Sequence, residues 1–184
     1  MYRKGNVLIK ELTLADINKT LLDNFNRYQK VERCWRKDHG KLVLKDNSYI
    51  EDWDNEKKQQ IINGLYTCKQ QGGTVLGAFY NNKLIGFSSV GNILFGEYMQ
   101  YLELIMMQIS HEYRNKGIGK KLFFLAVEKA KEKGGKKLYI SANSSEESQG
   151  FYRTIGCVEA QEINMKIAKN EPFDCQMEYN FSVT

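Results

Sequence analysis

Gly117 and Gly119 stand at the start of a helix-forming stretch, between Arg114, Lys116, Lys120 and Lys121, in SHEYRNKGIGKKL at residues 110–122. Glycine costs roughly 1 kcal/mol against alanine inside a helix. Two of them beside four cations point to an anion brought against bare backbone. A helix N-terminus offers unpaired N–H groups and partial positive charge, and without Cβ atoms in the way phosphate oxygens reach those groups directly. The spacing matches neither the G-x-G-x-x-G of a dinucleotide site nor the G-x-x-x-x-G-K-[ST] of a P-loop; a tight turn serving only helix packing is the plainer alternative. Two other residues could move protons. Glu103 is the only ionisable group in LELIMMQI, where a carboxylate is costly unless paired or used, and desolvation raises its pKa toward the range of a useful base. Tyr152 keeps its proton near neutrality and can donate it, unless it is only a core tyrosine with a structural partner.

These groups need elements to hold them. NVLIKEL reads as a first strand, followed by Asp16 and an apolar-periodic helix through Leu21, Leu22 and Phe25. Residues 26–52 are aromatic and charged, with a turn at KDHG, and carry no assignment. A helix follows the acidic EDWD, with Trp53, Ile61, Ile62, Leu65, Tyr66 and Cys68 at helical spacing and Gly72 and Gly73 at its end. Glu51, Asp52 and Asp54 there either attract a cationic amine or simply charge the helix start. TVLGAFY and KLIGFSSV form a hairpin across Asn81-Asn82. YLELIMMQIS reads as a strand buried on both faces. The helix after the glycine turn carries Ile118, Leu122, Leu125, Ala126 and Lys129 in one stripe and ends at Gly134-Gly135. KKLYISA is another buried strand, and Ser144-x-x-Glu147 has the form of a capping box for a helix through Phe151, Tyr152 and Ile155. CVEAQEINMKI and FDCQMEYNF read as two last strands around Pro172. Strand, turn, helix and strand over residues 101–142 fit a crossover between two parallel strands. The expected fold is therefore mixed α/β: a mostly antiparallel sheet with one central parallel pair and helices on both faces.

A length of 184 residues suits one domain, residues 1–184. With 42% hydrophobic and 27% charged residues the composition is globular. No apolar run approaches the roughly 18 residues of a membrane span, and MYRKGNVLIK lacks the apolar length of a signal peptide, so no membrane association is expected and a cytoplasmic protein is the default. Cys34, Cys68, Cys157 and Cys175 are far apart and read as reduced thiols. His39 and His111 are the only histidines, and no metal is expected; His111 reads as a turn residue. The basic residues between Arg114 and Lys137 would serve a polyanionic small ligand or a nucleic acid, but no nucleic-acid motif accompanies them.

RNKGIG after a strand, and FYRTIGC in a later helix, together resemble the GNAT superfamily of N-acetyltransferases. Its phosphate motif R/Q-x-x-G-x-G/A is matched by Arg114, Gly117 and Gly119. Its F-Y-x-x-x-G-F is matched by Phe151, Tyr152 and Gly156, with Cys157 in place of the last phenylalanine. The resemblance covers residues 74–182 well. It implies acetyl-CoA as acetyl donor, its pyrophosphate on the turn formed by Arg114, Asn115, Lys116, Gly117, Ile118, Gly119 and Lys120. It also implies a pantetheine arm in the splay between the parallel strands, against Met107, Gln108 and Ile109. Many members place an asparagine six residues before the Phe-Tyr pair; here Ser145 occupies that position and Asn143 lies two residues earlier. Tyr152 is then the acid for the leaving thiolate and Glu103 the base, with a water chain as its alternative. The acceptor implied is a primary amine, on a small molecule or a protein, attacking directly in a ternary complex. A non-catalytic sensor of CoA or acyl-CoA, or a basic nucleic-acid-binding module, are the readings from other classes, and a homodimer is left open.

Overall fold

In the computed structural model, which describes residues 7–183, seven strands form one sheet in the order β1-β4-β5-β6-β7-β9-β8. The first six residues of the chain, with the start of the NVLIKEL strand, lie outside the described residues. The strands are β1 (Leu8–Glu11), β4 (Thr74–Tyr80), β5 (Lys83–Val90), β6 (Tyr101–Ile109), β7 (Lys137–Ala142), β8 (Val158–Glu159) and β9 (Cys175–Asn180). The pair β6–β7 is parallel and every other pairing is antiparallel. Helix α1 (Asn55–Gln70) covers one face, burying Ile61, Ile62 and Leu65 against Leu12, Phe25 and Phe87. Helix α2 (Ile118–Glu132) and helix α3 (Glu146–Thr154) cover the other. The buried stripe of α2 is Ile118, Leu122, Phe123, Ala126, Val127 and Ala130; Leu125 is 40% exposed, because the stripe is centred one position further round the helix than expected.

Three segments differ from the sequence expectation. Residues 14–24 form consecutive turns rather than a helix. Asp16 accepts hydrogen bonds from the Thr13 N–H (2.8 Å) and hydroxyl (2.9 Å), and Asn18 accepts from the Thr20 N–H (3.0 Å). Such local side-chain bonds compete with helix formation, while Ile17, Leu22 and Phe25 are buried all the same. Residues 29–51 are a two-stranded hairpin, β2 (Gln29–Asp38) and β3 (Lys41–Glu51), turning at His39 and Gly40 with φ of 45° and 78°. Finally, CVEAQEINMKI holds only the two-residue β8. Asn164 then caps a short helix, α4 (Met165–Asn170), by accepting from the N–H groups of Lys166 (3.1 Å) and Ile167 (3.3 Å).

The parallel pair is hydrogen-bonded only from Tyr101 to Glu103, opposite Lys137 to Tyr139. Beyond that point β7 stays with β9, whereas β6 stays with β5. At the closed end, buried Glu178 accepts from the Tyr101 hydroxyl and pairs with Lys137 at 2.7 Å, which holds β6, β7 and β9 together. At the open end the strands splay, so Ile105 is 45% exposed and Met106 to Ile109 are only half-buried. The expectation of a strand buried on both faces fails here for that reason.

Candidate active site

The turn before α2 is built from left-handed residues. Asn115 has φ 58° and Gly117, the N-cap of α2, has φ 78°. Gly117 is required by this conformation; a Cβ there would meet nothing within 4 Å. Gly119 answers to a different need, since a Cβ would come within 3.3–3.4 Å of the Phe151 ring. No side chain caps α2, and its first bond runs from the Lys121 N–H to the Gly117 carbonyl at 3.2 Å, leaving the N–H groups of the preceding turn for a ligand. Arg114 is not a loose cation. Its guanidinium donates to the carbonyls of Ile109 (3.1 Å) and Arg27 (3.1 Å), tying the turn to the end of β6 and to the approach to β2.

A cavity of about 500 Å³ lies in the splay, lined by Met107, Gln108, Ile109, the turn and α3. A second, of about 830 Å³, opens on the far side of β6. The two share Gln29, Met107, Gln108, Ser148 and Tyr152. Tyr152 is therefore at their junction. It is 9% exposed, T-stacked on Phe123 at 6.3 Å, and among the described residues its hydroxyl has no hydrogen-bond partner. Burial, followed by the charges of Cys157 and Asp174, holds its phenol above the ordinary value, so it stays protonated across the neutral range.

Glu103 lines the second cavity and burial raises its carboxyl above the ordinary range. Strict alternation along β6 would put Glu103 on one face with Met107 and Ile109. The ladder contradicts this: Val90 pairs with Leu104, yet Ser89 pairs with Met106. Ile105 is thus a bulge residue, and a bulge reverses the facing of everything beyond it. Leu102, Leu104, Met107 and Ile109 all pack toward α2, while Met106 packs toward α1. Glu103 consequently shares its face with Met106 and Gln108.

Of the other sequence-derived candidates, Asn115, Gly117, Gly119 and Lys120 line the first cavity together with Arg114. Lys116 and Ile118 instead line a groove with Val7 and Ile9. Asn143 lines the second cavity and accepts from the Ser145 N–H at 2.9 Å. Ser145 lines neither of the two joined cavities. It is the N-cap of α3, one residue later than the expected capping box, and its hydroxyl accepts from the Ser148 N–H at 3.3 Å; Glu147 accepts instead from Gln29 at 2.9 Å. His111 bonds the Tyr28 carbonyl at 3.2 Å from an exposed position. Among the acidic trio at Trp53, Asp54 caps α1, Asp52 accepts from the Trp53 N–H, and only Glu51 reaches the second cavity, where it pairs with Arg27.

The lining residues that sequence reasoning missed include Arg27, Gln29, Ser148, Lys166, Glu171 and Asp174. Asp174, in the loop before β9, accepts from the Ser141 hydroxyl at 3.3 Å. Its carboxyl is pushed up to about 6 by burial, then by the charges of Glu171 and Glu51. Its signal in the sequence was a carboxylate beside Pro172-Phe173, indistinguishable from a surface loop. Among the described residues no three or more His, Cys, Asp or Glu side chains are grouped to hold a metal ion, and no helix is long and apolar enough to cross a membrane.

The profile of the Acetyltransferase (GNAT) family matches residues 27–157. Among solved structures the chain is similar to a nourseothricin acetyltransferase, with 15% identity over 95% of this chain and 98% of that one and a TM-score of 0.69. It is similar to a GNAT family acetyltransferase from Elizabethkingia anophelis with acetyl-CoA bound, with 19% identity over 96% and 99% and a TM-score of 0.57. It also resembles PaiA N-acetyltransferase from Thermoplasma acidophilum in complex with coenzyme A, with 17% identity over 96% and 99% and a TM-score of 0.57. No curated protein matches the chain.

Proposed function

The chain belongs to the GNAT acetyltransferase family, and from that premise we propose that it transfers acetyl from acetyl-CoA to a primary amine by direct attack, as one catalytic domain. The observation that carries this reading is the buried, unpartnered Tyr152 hydroxyl where the two cavities meet. A phosphate-binding turn alone would serve a sensor equally well. A protonated phenol opening onto both a cofactor cleft and a second cavity serves a reaction between their occupants.

The residues present fit acetyl-CoA. The uncapped start of α2, with Gly119 kept small against Phe151, offers N–H groups to phosphate, and Lys120 stands exposed at its rim. The apolar splay along Met107 to Ile109 accepts an extended arm. When bound, acetyl-CoA supplies a thioester already activated for attack, so no covalent enzyme intermediate is needed. Glu103 takes the proton that the ammonium must lose, its raised pKa bringing it closer to the operating range of a general base. Tyr152 donates a proton toward the departing sulfur. Backbone N–H groups of β6 in the splay, beyond the last residue paired with β7, would donate to the thioester oxygen.

Mass spectrometry of a panel of amines and peptides incubated with acetyl-CoA tests the reading. At least one product heavier by an acetyl group is expected. Tyr152→Phe, which keeps the ring packing, should lower kcat by roughly 10²-fold or more with CoA affinity retained. No acetylated product from any amine would instead favour a CoA sensor.

A further inference from the structure

The second cavity is short of positive charge. Its lining holds the carboxylates of Glu51, Glu103, Glu171 and Asp174 against the cations Arg27 and Lys166. Arg27 is committed to Glu51, with its guanidinium also bonded to Gln29 at 2.8 Å. Lys166 is exposed on α4, and among the described residues it forms no ion pair with any of the four. Glu103 on β6 and Asp174 before β9 thus line the cavity from separate elements, and neither has a cation partner among the described residues. Partly dehydrated carboxylates are costly until a cation joins them. One ammonium can neutralise one of them.

An independent observation marks this cavity as the place a ligand reacts. The Tyr152 side chain is nine-tenths buried, has no hydrogen-bond partner among the described residues, and opens into the same space. At about 830 Å³ the cavity also has room for an extended acceptor rather than a single small amine.

We propose that this cavity selects acceptors carrying two ammonium groups, and that Asp174 is the carboxylate that docks the one that does not react. The inference rests on the acetyl-transfer reading above. The first amine meets Glu103 and loses its proton; the second keeps its charge against Asp174, with Glu171 and Glu51 adding to the local negative field. Asp174 is thus a specificity residue, outside the proton transfer itself.

The test is calorimetric titration of α,ω-diaminoalkanes of increasing length, and of the matching 1-aminoalkanes, into protein saturated with CoA. Wild type is compared with Asp174→Asn and Asp174→Glu. A diamine of suitable length should bind about tenfold tighter than its monoamine or better, the scale of a charge-assisted hydrogen bond. Asp174→Asn should bring the two close to parity and Asp174→Glu should keep part of the preference; a retained melting-temperature rise with acetyl-CoA certifies the fold of each variant. Equal affinities in wild type, or a preference that survives Asp174→Asn, overturns the proposal. So does a loss of kcat in Asp174→Asn equal for monoamines and diamines, which would make Asp174 a proton acceptor. Acetylation of monoamines with no diamine preference sinks this inference and leaves the acetyl-transfer reading standing. Diamine binding that depends on Asp174 without acetylation of any amine sinks the acetyl-transfer reading, and with it the role as acceptor, and leaves only the docking of a diamine at Asp174.

Discussion

If Asp174 is kept ionised for a ligand, removing its charge should make the ligand-free protein more stable. The folded environment raises its carboxyl from 3.8 to about 6, first through burial and then through Glu171 and Glu51. Because the folded value lies above the unfolded one, the ionised carboxylate destabilises the fold, fully above about pH 6 and not at all below about 3.8, where both states hold the proton. At roughly 1.4 kcal/mol per pH unit the difference sets a ceiling of about 3 kcal/mol. The carboxylate is partly open to solvent, so screening reduces the expected gain to about 1 kcal/mol. Asp174→Asn keeps the acceptor for the Ser141 hydroxyl, which isolates the charge. Thermal unfolding at pH 7 should show a melting temperature about 2–4 °C above wild type, and the gap should close as the pH is lowered toward 4. A lower melting temperature at pH 7, or a gain independent of pH, refutes the reasoning. The variant would then be more stable and less selective, the usual exchange when a functional charge is removed.

The two turn glycines should respond differently to alanine. Gly117→Ala meets no neighbour but is strained at φ 78°, costing about 1 kcal/mol of stability with CoA binding kept. Gly119→Ala crowds the Phe151 ring at 3.3 Å and should weaken CoA in a protein of near-normal stability, both read by thermal shift with and without ligand. Gly119→Glu should remove the stabilisation by acetyl-CoA altogether, roughly 2.7 kcal/mol at a hundredfold excess over Kd; a wild-type shift in that variant would rule out phosphate binding at the turn. Glu103→Gln should lower kcat by roughly 10²-fold. Since burial raises this carboxyl, the wild-type rate should fall as pH drops through a value above the ordinary carboxylate range, and that limb should shift or vanish in the variant.

The sheet and its two large helices were legible because their apolar periods are long and their turns carry explicit punctuation. Asn81-Asn82 adopts positive φ at both positions, as a two-residue hairpin needs, and Asp54 caps α1 where the acidic opening stood. The hairpin β2–β3 was not legible. Much of it is exposed, so no alternation marks it. It is positioned by contacts distant in sequence: Trp35 N–H to the Ser144 carbonyl at 2.8 Å, and Arg33 to Glu146 at 2.7–2.9 Å. Those contacts bring Gln29 and Glu51 to the cleft, a placement that no local pattern in the sequence announces. The turn residues and Tyr152 were found through a local motif; Asp174 has none and enters only through the pairing of β9 with β7.

The bulge at Ile105 explains why a correct strand gave a wrong facing. Alternation is a rule of parity, and one extra residue inverts it for all that follows. In an unbroken strand that kept Ile105, Glu103 would share the face of Met107 and Ile109, toward α2 and the first cavity. With the bulge, the same strand gives Met107 and Ile109 to the first cavity while Glu103 faces the side of Met106 and Gln108. On the proposed reading, one strand presents an apolar wall to the acetyl donor and a carboxylate to the acceptor. Deleting Ile105 should restore strict alternation without changing the faces, since Leu102, Leu104, Met107 and Ile109 would then alternate with Glu103, Met106 and Gln108. If the facing of Glu103 is what the chemistry needs, the folded deletion variant should keep turnover well above that of Glu103→Gln, which is expected to fall roughly 10²-fold. A folded deletion variant as slow as Glu103→Gln would show that this facing does not by itself sustain the reaction.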